Sequence, residues 1–140
     1  MRIDAIKNGI VIDHIDAGRA MKIYEMLGLD KLECPVALLK NVPSEKMGKK
    51  DIIKIDGEVQ INLDVLGFLG RNITVVIVKN GTVAEKKHIE LPAELRDIIS
   101  CKNPRCITST EQGIHHHFRL ENEKTGVYRC VYCDTQADIT

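Results

Sequence analysis

The sequence predicts an α+β fold: a ferredoxin-like antiparallel sheet with two helices and an extra edge strand over residues 1–92, then a small, mainly β metal-binding domain over residues 93–140. Three observations predict it. Upstream of Pro92 the apolar spacing switches between strand and helix periods in the order β-α-β-β-α-β-β. Two β-branched runs meet at Asn80-Gly81, the dipeptide suited to a type I′ hairpin turn. Four of the five cysteines follow Pro92, spaced C-x4-C, 23 residues, C-x2-C.

"DAIKNGIVIDHI" reads as the first strand, with a kink expected at Gly9. Asp16 is the expected N-cap of a helix over "AGRAMKIYEML", whose apolar stripe is Ala20, Met21, Ile23, Tyr24 and Leu27, and Gly28 stands where a C-cap belongs. "CPVALLKNV" and "KDIIKIDG" are strands joined by the turn "PSEKMGKK". "INLDVLGFLG" is a short helix interrupted by Gly67. "NITVVIVKNGTVAEKKHIEL" is the terminal hairpin, ended by Pro92, and "ELPAELRD" is the expected connection to the second module. Helices on one face of such a sheet leave the other face open.

The cysteine spacing identifies a metal site. Cys101 and Cys106 form one knuckle, Cys130 and Cys133 another, and four thiolates meeting tetrahedrally close the shell around one structural Zn²⁺. A catalytic zinc needs an open position, which four thiolates do not leave. The 48 residues of this module hold few large apolar groups, so metal binding would supply its folding free energy. In alternating geometry His115 and His117 share a face that His116 does not, so the three are expected to flank a hairpin rather than bind metal. Cys34, alone beside Pro35, reads as a packing residue.

Lysine plus arginine equals aspartate plus glutamate at 20 each, so no net field draws the chain to nucleic acid or to an anionic membrane. Asp4, Lys7, Asp13 and Asp16 interrupt the apolar core that a signal peptide needs and no segment approaches the apolar length of a membrane span, so the expected location is cytoplasmic, where clustered cysteines are expected to bind metal rather than pair. There is no Walker loop, no G-x-G-x-x-G and no nucleophile elbow. A nucleic-acid-binding zinc ribbon would need a basic stripe or stacking aromatics. Here Lys102, Arg105, Arg119, Lys124 and Arg129 alternate with Glu111, Glu121, Glu123 and Asp134, and aromatics are 4% of the chain. On pattern alone Lys54, Lys86 and His14 are either solvated side chains or parts of an anion site; Lys54 shares a strand face with Ile52, away from Ile53 and Ile55.

Taken together, "AIKNGIVIDHI", "NVPSEKMGKKDIIKI", the hairpin ending "VAEKK" and "CKNPRC…CVYC" resemble, over nearly the whole chain, the regulatory subunit family of aspartate carbamoyltransferase. The resemblance implies a non-catalytic chain that tunes pyrimidine synthesis. Its N-terminal domain would bind the effectors CTP, UTP and ATP and form a homodimer, and its zinc domain would dock on a separate catalytic subunit. Carried over by position, Asp13 and Lys54 resemble groups that hold the ribose, and His14 and Lys86 groups near the phosphates, with Lys50 a further basic residue. Ala5 and Ile6 would offer backbone groups to the base; Val11, Ile52 and Val83 would line the pocket. Asn103, Arg105 and Asp134, beside the ligand cysteines, resemble contacts to the catalytic chain, though Arg105 replaces a small polar residue. Val76 and Gly81 stand where the family often has an asparagine and an aromatic, so discrimination between bases is expected to be modest. The chain starts close to its first strand, which leaves a second, metal-bridged nucleotide open. The alternative reading is the same scaffold with its nucleotide response weakened or lost.

Overall fold

The computed structural model describes residues 6–137 and divides the chain into two compact units, Met1–Glu90 and Leu91–Thr140. The first unit runs β1 (Gly9–Asp16), α1 (Ala20–Met26), a 3-10 turn (Leu29–Lys31), β2 (Val36–Ser44), β3 (Gly48–Ile55), α2 (Leu63–Leu69), β4 (Thr74–Lys79) and β5 (Thr82–His88). All sheet pairings are antiparallel in the order β2-β3-β1-β4-β5, which is the ferredoxin-like plan with β5 added outside β4.

Strand alternation sends Ile10, Ile12, Ile53, Ile55 and Val75 to one face, where they are buried with Ala20 and Ile23 of α1 and Val65, Leu66, Phe68 and Leu69 of α2. The expected stripe on α1 is narrower than its pattern suggested: Ala20 and Ile23 are buried, whereas Met21 is 48% exposed. Gly28, at φ 67°, ends α1 in the left-handed conformation that glycine adopts without a Cβ clash. The hairpin turn is type I′, with positive φ at both Asn80 (53°) and Gly81 (77°).

Two sequence expectations are corrected here. Asp16 does not cap α1 with its side chain. The N-cap is Arg19, and Asp16 contributes only its carbonyl oxygen, which accepts from the Arg19 N–H at 3.0 Å. The capping carboxylate is Asp51 of β3, fully buried, whose Oδ2 accepts from the Gly18 and Ala20 N–H groups at 2.9 and 3.2 Å and whose Oδ1 accepts from the Asn41 N–H at 3.1 Å. The kink in β1 is at His14, not Gly9. Between Ile12 and Ile15 the strand carries an extra residue, with His14 at φ 57°, and the shift turns Ile15 into the core while keeping the imidazole out of it. A matching bulge in β2, between Leu39 and Val42 with Asn41 at φ 58°, lies on the other side of β3. Gly9 has a different reason to be glycine: a Cβ there would lie 2.1 Å from the Ile55 carbonyl oxygen.

The sheet ends in two unlike edges. On β2 the residues Val36 to Leu39 are half-buried, and past them come the bulge and Pro43. On β5 the outer strand is exposed and charged at Glu85 and Lys86.

The second unit is small: β6 (Glu94–Arg96), α3 (Ile107–Thr110), β7 (His117–Asn122) and β8 (Val127–Cys130), with a three-stranded antiparallel sheet in chain order. "ELPAELRD" is thus not only a connection, because Glu94–Arg96 pairs with β7. Leu95, Phe118 and Tyr128 are its large buried apolar side chains among the described residues. The Tyr128 hydroxyl donates to the Pro92 carbonyl at 2.6 Å. No helix among the described residues is long and apolar enough to cross a membrane.

Candidate metal centre and ligand face

The two cysteine knuckles close on each other. The Sγ atoms of Cys101, Cys106, Cys130 and Cys133 all lie within 4.8 Å of one another, and among the described residues this is the one group of three or more potential ligands that does so. Cys101 Sγ is 3.5 Å from Cys133 Sγ, and Cys106 Sγ is 3.7 Å from Cys130 Sγ. A tetrahedron of sulfurs at about 2.3 Å from a metal has edges of about 3.8 Å, whereas a disulfide needs about 2.05 Å. The spacing is that of a metal site.

Each knuckle is built by backbone turns. The Cys106 N–H donates to the Asn103 carbonyl at 3.1 Å, and the Asp134 N–H to the Cys130 carbonyl at 2.9 Å, with Asp134 at φ 66°. The Thr108 hydroxyl donates to Cys106 Sγ at 3.1 Å, and Thr135 Oγ1 lies 3.1 Å from Cys133 Sγ. Without a cation, burial pushes the Cys101 thiol up to about 12 and raises that of Cys130, while hydrogen bonds from Thr135 hold Cys133 down to about 6. Buried sulfurs of this kind become thiolates readily only around a metal ion, and four soft ligands suit zinc or iron by their chemistry. They leave no position for water, so such a metal is structural.

The three histidines take separate partners. His115 Nδ1 is 2.6 Å from Asp97 Oδ2, a contact that holds the Asp97 carboxyl below its usual range; His116 Nδ1 accepts from the Cys101 N–H at 3.4 Å; His117 Nε2 faces Glu94 Oε2 at 3.4 Å. None joins the cluster. Of the expected interface residues, Asn103 turns its side chain inward to accept from the Arg105 N–H at 3.0 Å, Arg105 is exposed, and Asp134 accepts from Arg119. Sequence reasoning missed the apolar groups beside them. Ile107, Val131 and Tyr132 are 45%, 36% and 48% exposed, next to ligand cysteines. Their position inside or just after a knuckle was the available signal.

In the first unit the register gathers the expected ligand residues on the face that the helices leave open. One row across the sheet reads Lys54, Val11, Val76, Lys86, from β3 through β1 and β4 to β5. Beside it lie Ile52, Asp13 and Thr74, and toward the hairpin Val78 opposite Val83, which is 65% exposed. Lys50 Nζ forms an ion pair with Asp13 Oδ1 at 3.0 Å, and the Asp13 carboxylate also accepts from the His14 N–H at 2.6 Å. His14 Nδ1 is 2.9 Å from Thr74 Oγ1. Lys54 and Lys86 have no carboxylate partner among the described residues. Lys7 and Asn8 strap the chain to the hairpin tip: the Gly81 N–H donates to the Lys7 carbonyl at 2.9 Å and the Asn80 N–H to Asn8 Oδ1 at 3.1 Å. Ile6 lies just ahead of this strap, and Ala5 lies outside the described residues. Two concavities, about 480 and 250 Å³, share Ile10, Val59, Gln60 and Ile77 as walls and include none of the expected ligand residues.

Comparison with known proteins matches both units. The family described as "Aspartate carbamoyltransferase regulatory chain, allosteric domain" matches residues 1–90, and "Aspartate carbamoyltransferase regulatory chain, metal binding domain" matches residues 93–140. The chain is 51% identical over 134 residues to an aspartate carbamoyltransferase regulatory chain of Clostridium botulinum, covering 96% of this chain and 92% of that one. It is 45% identical over 139 residues to that of Bifidobacterium longum, covering 99% and 100%.

Proposed function

Because the chain belongs to the family of aspartate carbamoyltransferase regulatory chains, we propose that it binds nucleoside triphosphates on the open face of its sheet and docks through a zinc-organised second unit on a separate catalytic chain. It is a non-catalytic subunit of that enzyme, acting in pyrimidine synthesis. The observation that carries the effector reading is the row holding Lys54 and Lys86, which have no carboxylate partner among the described residues, on a face bordered by Asp13 and His14. Unpaired lysines attract polyphosphate, and a carboxylate accepts from sugar hydroxyls. Between the lysines the row presents only Val11 and Val76. Neither side chain hydrogen-bonds a base edge, so discrimination falls to backbone groups near Ile6 and is modest.

Lys86→Ala is expected to weaken CTP, UTP and ATP alike, by about 1.5 to 3 kcal/mol, because a phosphate contact carries no base information. Calorimetric titration of the three nucleotides into the intact chain tests this. Unequal losses would place Lys86 at the base instead. Undetectable binding of all three to the unaltered chain would favour a scaffold that has lost its nucleotide response.

The metal proposed is one Zn²⁺ per chain, in the cytoplasm. Exposed Ile107 and Tyr132 beside the knuckles, with Asn103, Arg105 and Asp134, support docking there. A mercurial that strips the metal should release this chain from its catalytic partner, seen as loss of co-elution, while the partner stays active. An inactive released partner would overturn the regulatory assignment. Homodimerisation is proposed through β2, whose half-buried apolar stretch from Val36 to Leu39 is the better of the two edges for pairing.

A further inference from the structure

The open face carries a titratable side chain not yet used, His88. Thr74 is directly opposite His88 in the β4–β5 pair and opposite Asp13 in the β1–β4 pair. Directly opposed residues have Cβ atoms about 5 Å apart. Thr74 is only 4% exposed, and its hydroxyl oxygen is 2.9 Å from His14 Nδ1. His14, through its ring, and His88, through strand pairing, thus both adjoin Thr74. Alternation puts His88 on the face of Lys86, two residues before it, while Lys87 lies with Ile10, Val59 and Val75 on the other face.

Strand pairing gives His88 the following charged and titratable neighbours among the described residues. From β4 it meets the uncharged Thr74 and Val76. From β1 come His14 and Asp13, and Asp13 is engaged by Lys50 of β3 at 3.0 Å. Its own strand supplies Lys86, and beyond the strand end stands exposed Glu90. Residues two apart on a strand are about 6.6 Å apart, a gap that a polyphosphate tail spans. An imidazolium donates from both nitrogens, and an adjacent anion favours that protonated form.

We propose that His88 is a further phosphate-binding residue of the open face, acting as an imidazolium beside His14 and Lys86, so that binding of a polyphosphate draws protons onto two imidazoles. The proposal rests on the effector reading given above and adds to it a ligand residue and a proton linkage.

The test titrates inorganic tripolyphosphate and CTP into the full chain at about pH 6 and about pH 8.5, in two buffers of different ionisation enthalpy so that proton uptake is measured directly. His88→Gln is expected to weaken both ligands about fivefold at the lower pH and less than about twofold at the higher, and to remove up to about one proton of uptake. Lys87→Gln removes a charge from the same strand on the opposite face and should change neither value. A His88→Gln chain that binds as the unaltered chain does at both pH values overturns the proposal and leaves the effector reading standing. Equal weakening at both pH values, or a matching loss in Lys87→Gln, also overturns it, because strand stability or the general field would then be the cause. Failure of the unaltered chain to bind either ligand removes the proposal and the effector reading together.

Discussion

Replacing Cys130 by serine is expected to unfold the chain beyond about residue 93 while leaving the sheet of the first unit intact. Cys130 is fully buried, with Sγ 3.7 Å from that of Cys106. The second unit has little else to hold it: Leu95, Phe118 and Tyr128 are its large buried apolar groups among the described residues, and its strands run three, six and four residues. Three large side chains are a small core for a unit of nearly fifty residues, and domains of that size are held by a staple such as a bound metal. A structural metal contributes on the order of 10 kcal/mol or more, and serine does not replace a thiolate ligand. Metal analysis should fall well below one zinc per chain, and limited proteolysis should cut the second unit while sparing the first. Full metal retention in Cys130→Ser, or an unchanged digestion pattern, would refute this account. An iron-sulfur cluster in place of zinc in the unaltered protein, or no metal and two disulfides, would overturn the assignment of a structural zinc.

The second large effect is expected at Asp51. Its carboxylate accepts from three backbone N–H groups, those of Gly18, Ala20 and Asn41. Alanine would leave these donors without an acceptor in a buried place, at about 1 to 3 kcal/mol each before relaxation. Asp51→Ala should therefore destabilise the first unit by about 3 to 5 kcal/mol. Asp51→Asn, which keeps one carbonyl acceptor, should cost less. Denaturant unfolding followed by a probe in the sheet measures both. A loss under about 1 kcal/mol for alanine would mean that other groups satisfy those donors. The metal content of either variant should stay unchanged, since no ligand cysteine lies in the first unit's sheet.

These two residues mark the limits of what local sequence reveals. The cysteines were legible because metal geometry demands two short knuckles, and each knuckle is contiguous in the chain. The hairpin was legible because only a few dipeptides accept positive φ twice in succession, as Asn80 and Gly81 do. Strand order followed from hydrophobic period and connection length. Asp51, by contrast, reads as one more charge at the start of a strand, and its partners lie 33, 31 and 10 residues away. They are backbone groups, which no side-chain pattern reports. The bulges at His14 and Asn41 are equally silent, because one inserted residue looks like any other until its strand is paired. Those shifts decide which residues face each other, so the row from Lys54 to Lys86 could be assembled only from the register. His88 escaped notice for the same reason. Glu94–Arg96 is too short for any periodicity to show.

The unequal edges of the sheet bear on how large an assembly the first unit could build. Growth through strand edges becomes endless when both edges are adhesive, since each added copy offers a fresh one. Here adhesion belongs to one side only. If two copies join along Val36 to Leu39, the outermost strands of the joined sheet are both β5, where Glu85 and Lys86 meet the solvent. Past Leu39 the bulge and Pro43 interrupt the ladder, so the seam is short and has one register. A sheet with one sticky border and one repellent border terminates at a pair, and the danger of fibrous polymerisation is removed by arithmetic rather than by weak contacts.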